Sequence, residues 1–198
     1  MKKIFIILSV IIGLISCGKK EIKVPKVKME GAEEVANNSI IWMFRNEDGS
    51  IDVNEKNRIS STNWFFNIDK QLTLKQLIPE VKRLVIKHNE KSPHNTKPMK
   101  NYFTYVNSLN NHLSFYQFDS INFNIINKNR LPKFSGDTIT VNVNSSTMQI
   151  PTVAKNTIIQ PIFNSEMNFQ EYMETKALFN NVLKGANISK VELIVIDN

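Results

Sequence analysis

The three histidines of the chain, His88, His94 and His112, are the residues best suited by type and spacing to metal or acid–base chemistry. His88 and His94 flank a short polar stretch that contains Glu90, so two imidazoles and a carboxylate could meet around a metal ion. Their spacing matches no standard metal-binding motif, and a polar surface loop explains the same residues. The sequence therefore predicts no metal site, no other cofactor and no catalytic residue.

The other common catalytic patterns are also missing from the sequence. It contains neither a G-x-S-x-G nucleophile motif nor a glycine-rich phosphate loop. Glu166, Glu171 and Glu174 lie along one predicted helix, and we interpret them as its solvated side rather than as an acid–base pair. An enzyme is therefore the less favoured class, although a site assembled from scattered polar residues would not be visible in one sequence.

The only cysteine, Cys17, ends an N-terminal leader. Lys2 and Lys3 precede an apolar run over residues 4–15, which is shorter than the roughly 20 residues that a membrane-spanning helix needs. A short basic start followed by an apolar run of this length is typical of a secretory signal peptide, here residues 1–16. Since no second cysteine exists, the exported protein cannot rely on disulfides.

The four residues Leu14-Ile15-Ser16-Cys17 resemble the bacterial lipobox. The resemblance implies that signal peptidase II recognises Leu14, Ile15 and Ser16, and that Cys17 carries a diacylglyceryl group that anchors the protein to a membrane. The alternative is a buried free cysteine, which the surrounding leader does not favour. Gly18 is not the aspartate that retains lipoproteins at the inner membrane, so we expect attachment to the outer membrane, facing the periplasm.

Composition indicates a folded and basic exported domain. Hydrophobic residues make up 41% and charged residues 22% of the 198 residues, which excludes global disorder. The net charge of +7 becomes +5 without Lys2 and Lys3, and part of it is concentrated after Cys17. That cluster is a solvated tether or a contact for anionic lipid or an acidic glycan, whereas nucleic acid is not expected for an exported protein. The cluster consists of Lys19, Lys20, Lys23, Lys26 and Lys28.

Residues 17–38 are predicted to form a flexible basic linker, and residues 39–198 a single globular domain. The domain should open with a hairpin of strands 40–44 and 50–53 around Asp48-Gly49, a strong turn signal. Three consecutive aromatic residues follow: Trp64, Phe65 and Phe66. If this segment is extended, either both faces of its strand are covered, or one aromatic ring remains for contact with a partner.

Two principal helices are predicted. Apolar residues at helical spacing indicate a helix over 74–88, which Thr73 and Gln76 would cap and which Pro79 would kink or restart. A second helix is predicted over 168–184, with Ser165 as a possible cap and Gly185 at its C-terminal end.

Alternating or apolar segments predict strands between and after these helices. The last of them, VELIVI, would complete a strand–helix–strand unit with the second helix. We therefore expect an α+β fold with a mixed, mainly antiparallel sheet and two halves of similar layout. The predicted strands cover residues 102–106, 113–118, 121–126, 138–144, 148–153, 157–163 and 191–196.

The two ends of the domain resemble the periplasmic domain of the ExbD/TolR biopolymer-transport proteins. The resemblance is carried by Ile51-Asp52-Val53 followed by LTLKQLIPEVKRL, and by the helix, glycine and KVELIVI strand of residues 169–198. It implies a soluble binding fold. Family members also have a transmembrane helix with a proton-coupling aspartate, whereas residues 4–15 contain no acidic residue, so no proton coupling and no catalytic residue carry over.

Two function classes remain open at this point. The favoured hypothesis is a lipid-anchored envelope protein that acts as a non-catalytic binding or scaffold module for a protein or glycan partner. The alternative is an envelope hydrolase or a lipoprotein that binds a small ligand. A deep pocket that gathers histidines with carboxylates would favour the enzyme, and an open sheet edge or an exposed aromatic patch would favour the binding module.

Overall fold

The computed structural model describes residues 21–90, 99–134, 137–143, 157–183 and 185–196. The leader with Cys17, the loop with His94 and the strand predicted over 148–153 lie outside the described residues. The described helices are α1 (Leu74–Asn89) and α2 (Phe169–Val182), together with a short 3-10 helix (Lys128–Arg130). The described strands are β1 (Lys26–Val27), β2 (Asn38–Arg45), β3 (Ile51–Asn54), β4 (Asn63–Ile68), β5 (Asn101–Asn107), β6 (Leu113–Gln117), β7 (Asn122–Asn127), β8 (Thr138–Val143), β9 (Ile158–Asn164), β10 (Asn187–Ile188) and β11 (Val191–Ile196).

These strands form two sheets. In the first, β3, β2, β4, β5 and β6 are neighbours in that order, and β1 pairs with the C-terminal end of β5. In the second, β8, β9, β11 and β7 are neighbours in that order, and β10 pairs with the start of β9. The α+β class predicted from the sequence is confirmed.

The prediction of mainly antiparallel sheets is wrong in its finer detail. Among the described strands seven pairings are parallel, and only β2–β3 and β5–β6 are antiparallel. The reason is the connectivity: α1 links the parallel pair β4 and β5, and α2 links the parallel pair β9 and β11. A crossover through a helix returns the chain in its original direction, whereas each of the two antiparallel pairs is joined by a short turn.

Local sequence signals account for most of the individual elements. Gly49 adopts a φ of +84° in the β2–β3 turn, as the Asp-Gly signal predicts. The Gln76 side chain accepts a hydrogen bond from the backbone N–H of Thr73 (3.0 Å), which confirms the predicted capping pair. α1 continues through Pro79 without restarting. The cap of α2 is Asn168 rather than Ser165, because Asn168 and Glu171 bond each other's backbone N–H groups at 3.0 Å.

The two halves of the domain meet at the N-terminal ends of α1 and α2, where an approximate two-fold symmetry relates them. A bridge joins Thr73 to Asn168, and four backbone hydrogen bonds around it form two matched pairs. Thr73 and Asn168 are 95 positions apart. If 95 is added to the residue number in the first half and subtracted from the residue number in the second half, each bond becomes the other member of its pair. The pairs are Leu74 N–H to Met167 O (2.9 Å) with Phe169 N–H to Leu72 O (2.8 Å), and Lys75 N–H to Ser165 O (2.8 Å) with Gln170 N–H to Lys70 O (3.0 Å). The similarity of layout noticed in the sequence therefore has a structural basis.

The predicted linker over residues 17–38 is wrong from Lys23 onward. The carbonyl of Lys23 accepts a hydrogen bond from the N–H of Lys70 (2.8 Å), and β1 extends the first sheet beside β5. Val27 and Met29 are buried in the main hydrophobic core. Alternating lysines hid this packing, because in a short strand the polar residues face solvent while the residues between them face the core. The folded unit therefore begins close to the cysteine.

Candidate functional site

A cleft of about 540 Å³ lies at the N-terminal end of β4. The β3–β4 loop forms one side of it and the C-terminal part of α1 forms the other. Its walls are polar and charged, apart from one indole ring. The lining residues are Glu55, Lys56, Arg58, Ser60, Trp64, Lys87 and Glu90.

Three cationic side chains converge on one carboxylate in this cleft. Arg83 Nη2 lies 2.9 Å from Glu55 Oε1, and Lys87 Nζ lies 3.7 Å from Glu55 Oε2. Arg58 forms an ion pair with the same Oε2 and also bonds the backbone carbonyl of Glu55 (3.1 Å). Arg83 also bonds Glu80, through the same Nη2 (2.8 Å) and through Nε (2.9 Å). Glu55 and Glu80 supply two carboxylates against the three cations, so the cluster keeps one net positive charge beside the cleft.

The protonation of this cluster follows from its geometry. Burial alone would raise the pKa of Glu55, but the hydrogen bond from Arg83 and the charges of Arg58, Arg83 and Lys87 lower it below its ordinary value. Burial would likewise lower the pKa of Arg83, but its bonds to Glu80 and Glu55 raise it. Both shifts keep Glu55 and Arg83 charged at neutral pH, and because cations outnumber carboxylates in the cluster, the site suits an anionic group.

A stack of two rings supports the inner wall of the cleft. The rings of Trp64 and His88 lie 3.9 Å apart at an angle of 8°, and the Trp64 indole donates a hydrogen bond to the carbonyl of Ile59 (2.9 Å). The guanidinium carbon of Arg58 lies 5.9 Å from the centre of the Trp64 ring, within reach of a cation–π contact. The indole is therefore fixed in orientation by the ring and the backbone behind it.

His88 is a buried structural residue and not an open catalytic group. Its Nδ1 lies 2.8 Å from Asn101 Oδ1, and its Nε2 lies 2.9 Å from the carbonyl oxygen of Thr62. Asn101 in turn donates to Asp119 (2.8 Å), which fixes the amide orientation. Both ring nitrogens are thus occupied by protein atoms. His112 lies exposed in the turn between β5 and β6, far along the chain from the cleft.

The three aromatic residues considered for partner contact are all buried. Trp64, Phe65 and Phe66 are 1%, 5% and 0% exposed, so both faces of β4 are covered and an exposed patch at these positions is ruled out. The outward face of β2 is different: Trp42 and Phe44 are half-buried there, and their rings lie 6.3 Å apart at 17°. Among the described strands, β3 is the outermost on this side of the first sheet.

The cationic cluster was missed in the sequence because its members come from distant segments. Glu55 and Arg83 are 28 residues apart and meet only when α1 packs beside the β3–β4 loop. The available signal was local: Glu55 with Arg58, and Glu80 with Arg83, are at the i,i+3 spacing of ion pairs. Such pairs are common on solvated surfaces, so the spacing alone does not distinguish a binding site from a wet helix face.

The comparisons with known proteins give no assignment. No family model, no curated protein and no solved structure matches the chain. Within the described ranges, no group of three His, Cys, Asp or Glu side chains could hold a metal ion. In the same part of the chain, no helix is long and apolar enough to cross a membrane.

Proposed function

We propose that this protein is a lipid-anchored envelope protein that acts as a non-catalytic binding or scaffold module. The anchor is the lipid at Cys17, by the resemblance of Leu14 to Cys17 to the lipobox. The cleft beside Glu55 is the partner site, and it takes an anionic group of a protein or glycan partner. The protein would reside at the outer membrane and face the periplasm.

The observation that carries the binding site is the convergence of Arg58, Arg83 and Lys87 on Glu55. An incoming carboxylate or phosphate could pair with the same cations, because guanidinium groups offer several donors to planar anions. Glu55 is 23% exposed in its side chain and the arginines reach it from two different elements, so the cations are positioned in advance. Positioning before binding reduces the entropy lost when a partner docks.

The proposal includes the resemblance of the soluble domain to the ExbD/TolR periplasmic domain, without proton coupling. Its support here is that strand–helix–strand units stand at both ends of the domain, β4–α1–β5 and β9–α2–β11. This resemblance concerns the packing of the fold and assigns no role to any residue of the cleft.

Affinity capture from the organism's own envelope tests the cleft. The lipidated protein is compared with the double variant R58Q/K87Q and with the matched control K133Q/K190Q, whose lysines are exposed outside the cleft. Both variants remove two positive charges. We expect a partner to be recovered with the wild type and the control, and to be lost with R58Q/K87Q, with the loss reproduced for the purified partner at low salt.

Two outcomes would contradict this function. Equal recovery of the same partner with both variants would remove the cleft from the interaction. A hydrolytic activity abolished by a single His or Glu substitution would favour the enzyme alternative. Mass spectrometry of the purified protein tests the anchor separately, since an unmodified thiol on a chain that retains Met1 to Ser16 would refute lipidation.

A further inference from the structure

The segment that leads from Cys17 into the domain is fixed to it along its whole length from Lys23. Besides the bond from Lys70 to the carbonyl of Lys23, the strand β1 is hydrogen-bonded to β5 and to side chains of α2. These bonds hold the segment from Lys23 to Met29 against the domain. They are Val106 N–H to Pro25 O (2.8 Å), Lys26 N–H to Gln170 Oε1 (2.9 Å), Gln170 Nε2 to Lys26 O (2.9 Å), Ser108 N–H to Val27 O (3.0 Å), Asn181 Nδ2 to Lys28 O (3.2 Å) and Tyr105 OH to Met29 O (3.0 Å).

The stretch of chain between Cys17 and Lys23 is short. Lys23 is six positions after Cys17, and six extended residues span at most about 20 Å. A compact unit that begins at Lys23 and extends to the end of β11 has a radius of gyration of roughly 16 Å, which corresponds to a diameter of about 40 Å. Because the tether is about half as long as the domain is wide, the domain cannot turn freely above an anchored lipid.

The surface where the tether enters is basic. Lys23, Lys26 and Lys28 are exposed in and next to β1, and Lys70 is half-buried beside Lys23. Over residues 17–30 the sequence contains five lysines and two glutamates, a net charge of +3. Lys70, its neighbour Asp69, and Glu174, which lines the same groove as Lys26 and Lys28, bring the net charge of this surface to +2. Basic residues held next to a bilayer attract anionic headgroups, and one or two acyl chains bind more firmly when such a surface adds to them.

We infer that the surface formed by β1 and the β4–α1 turn faces the bilayer and contacts anionic lipid headgroups. The inference rests on the proposed lipid anchor at Cys17. It also orients the cleft: Lys70 follows the C-terminal end of β4, whereas Arg58 and Trp64 lie at its N-terminal end. A strand of six residues is about 20 Å long, so the cleft opens away from the membrane and toward the periplasm.

Lysine footprinting of the full lipoprotein tests the orientation. The protein is acetylated in detergent and again after incorporation into phosphatidylcholine vesicles that contain phosphatidylglycerol, and the rate at each lysine is read by mass spectrometry. Lys23 and Lys28 should be protected by about fivefold or more, since each lysine near an anionic surface gains roughly 1 kcal/mol. Lys56 and Lys100, exposed at the opposite end of β4, serve as controls and should change less than about twofold.

The headgroup contact is tested by composition and by substitution. Protection of Lys23 and Lys28 should fall in vesicles of phosphatidylcholine alone and in high salt. Variant K23Q/K28Q should reduce the protection of Lys26 and Lys70, and the control K56Q/K100Q should not. Uniform protection of all lysines, protection of Lys56 and Lys100 instead, or no dependence on phosphatidylglycerol would overturn the inference.

The same samples separate this inference from the anchor itself. Vesicle flotation reports whether the chain is anchored at all, and the mass of the Cys17 peptide reports whether a lipid is attached. A chain that carries no lipid refutes the proposed anchor, and the orientation with it. A lipidated chain that floats but shows the wrong footprint refutes the orientation alone.

Discussion

A buried charged cluster between α2 and β11 offers the sharpest test of how this fold is stabilised. Lys176 Nζ lies 2.6 Å from Glu192 Oε1, and the hydroxyl of Tyr172 donates to Glu192 Oε2 at 2.8 Å. Lys176 is 6% exposed, Glu192 1% and Tyr172 not at all. Lys176 also lies 5.7 Å from the centre of the Tyr116 ring. The carboxylate is thus paired at both oxygens in a site that excludes water.

We predict that Glu192→Gln lowers the free energy of unfolding by about 3–5 kcal/mol, the usual cost of leaving a buried charge without its partner. The substitution keeps the shape and leaves Lys176 positively charged in the core. The cost has an upper limit, because Lys176 can release its proton instead. Neutralising a lysine of ordinary pKa 10.5 at pH 7 costs about 4.8 kcal/mol, since each of the 3.5 pH units is worth about 1.36 kcal/mol.

The double variant K176M/E192Q should recover most of the loss and lie within about 1 kcal/mol of the wild type. It removes the charge together with its partner, and the amide oxygen of glutamine can still accept from Tyr172. The matched control is E166Q, which breaks the exposed pair between Lys75 and Glu166 and should change stability by less than about 0.5 kcal/mol. Urea unfolding followed by tryptophan fluorescence measures all three variants.

The dependence on pH distinguishes a buried charge from a simple packing defect. In the wild type, burial would lower the pKa of Lys176, but the charge of Glu192 raises it, so the pair stabilises below pH 10.5 and its contribution is lost as the pH rises through the folded pKa. In E192Q the pKa of Lys176 should instead fall below that of the unfolded chain, and stability should rise with pH between the two values. A cost under 1 kcal/mol for E192Q, or the same pH slope in both proteins, would refute the reasoning.

Three further predictions concern stability. Met29→Ala should lower the free energy of unfolding by about 2–4 kcal/mol in urea, because the side chain is 1% exposed in the core. The control K28A, at an exposed neighbour, should lower it by less than about 0.5 kcal/mol. Equal losses would mean that this segment is a linker and not part of the core. The pKa of Glu55 is lowered, so its ion pairs stabilise the fold above pH 4.5 and this stabilisation is lost as the pH falls through the folded pKa. E55Q should therefore weaken the decrease of the melting temperature at acid pH. An unchanged decrease would contradict a stabilising role of these ion pairs. Burial and then the charge of Glu192 raise the pKa of Tyr172 well above 10, so Tyr172→Phe should reduce the loss of stability above pH 10, and an identical alkaline profile would contradict it.

Local features of the fold could be predicted because each is encoded within a few neighbouring residues. α1 was predicted to span 74–88 and is observed over Leu74–Asn89, and the last strand is Val191–Ile196 as predicted. Strand direction could not be predicted in the same way, because alternation with a period of two is identical in parallel and antiparallel pairs. The early start of the domain was missed because Val27 and Met29 are single apolar residues among lysines.

The interactions across the fold could not be read from the sequence. Glu192 stands inside the apolar segment VELIVI, and the pattern does not reveal that α2 brings Lys176 and Tyr172 to its two oxygens. The cleft is hidden for the same reason, since Glu55 and Arg83 meet only through the packing of α1. In both cases the partners are fixed by tertiary structure, whereas a single sequence reports periodicity and local spacing.

The approximate symmetry of the two halves shows that a strand–helix–strand unit of this fold can form without a cationic cluster on its helix. With the offset that exchanges the halves, Arg83 and Lys87 on α1 correspond to Leu178 and Val182 on α2. The second half therefore builds the same strand–helix–strand unit with apolar residues at these positions. The ion pairs around Glu55 are partly exposed, so solvent screens them and their contribution to stability is modest. Because one half carries this cluster, the other half omits it and its contribution to stability is modest, its presence favours binding, which is the role proposed for the cleft.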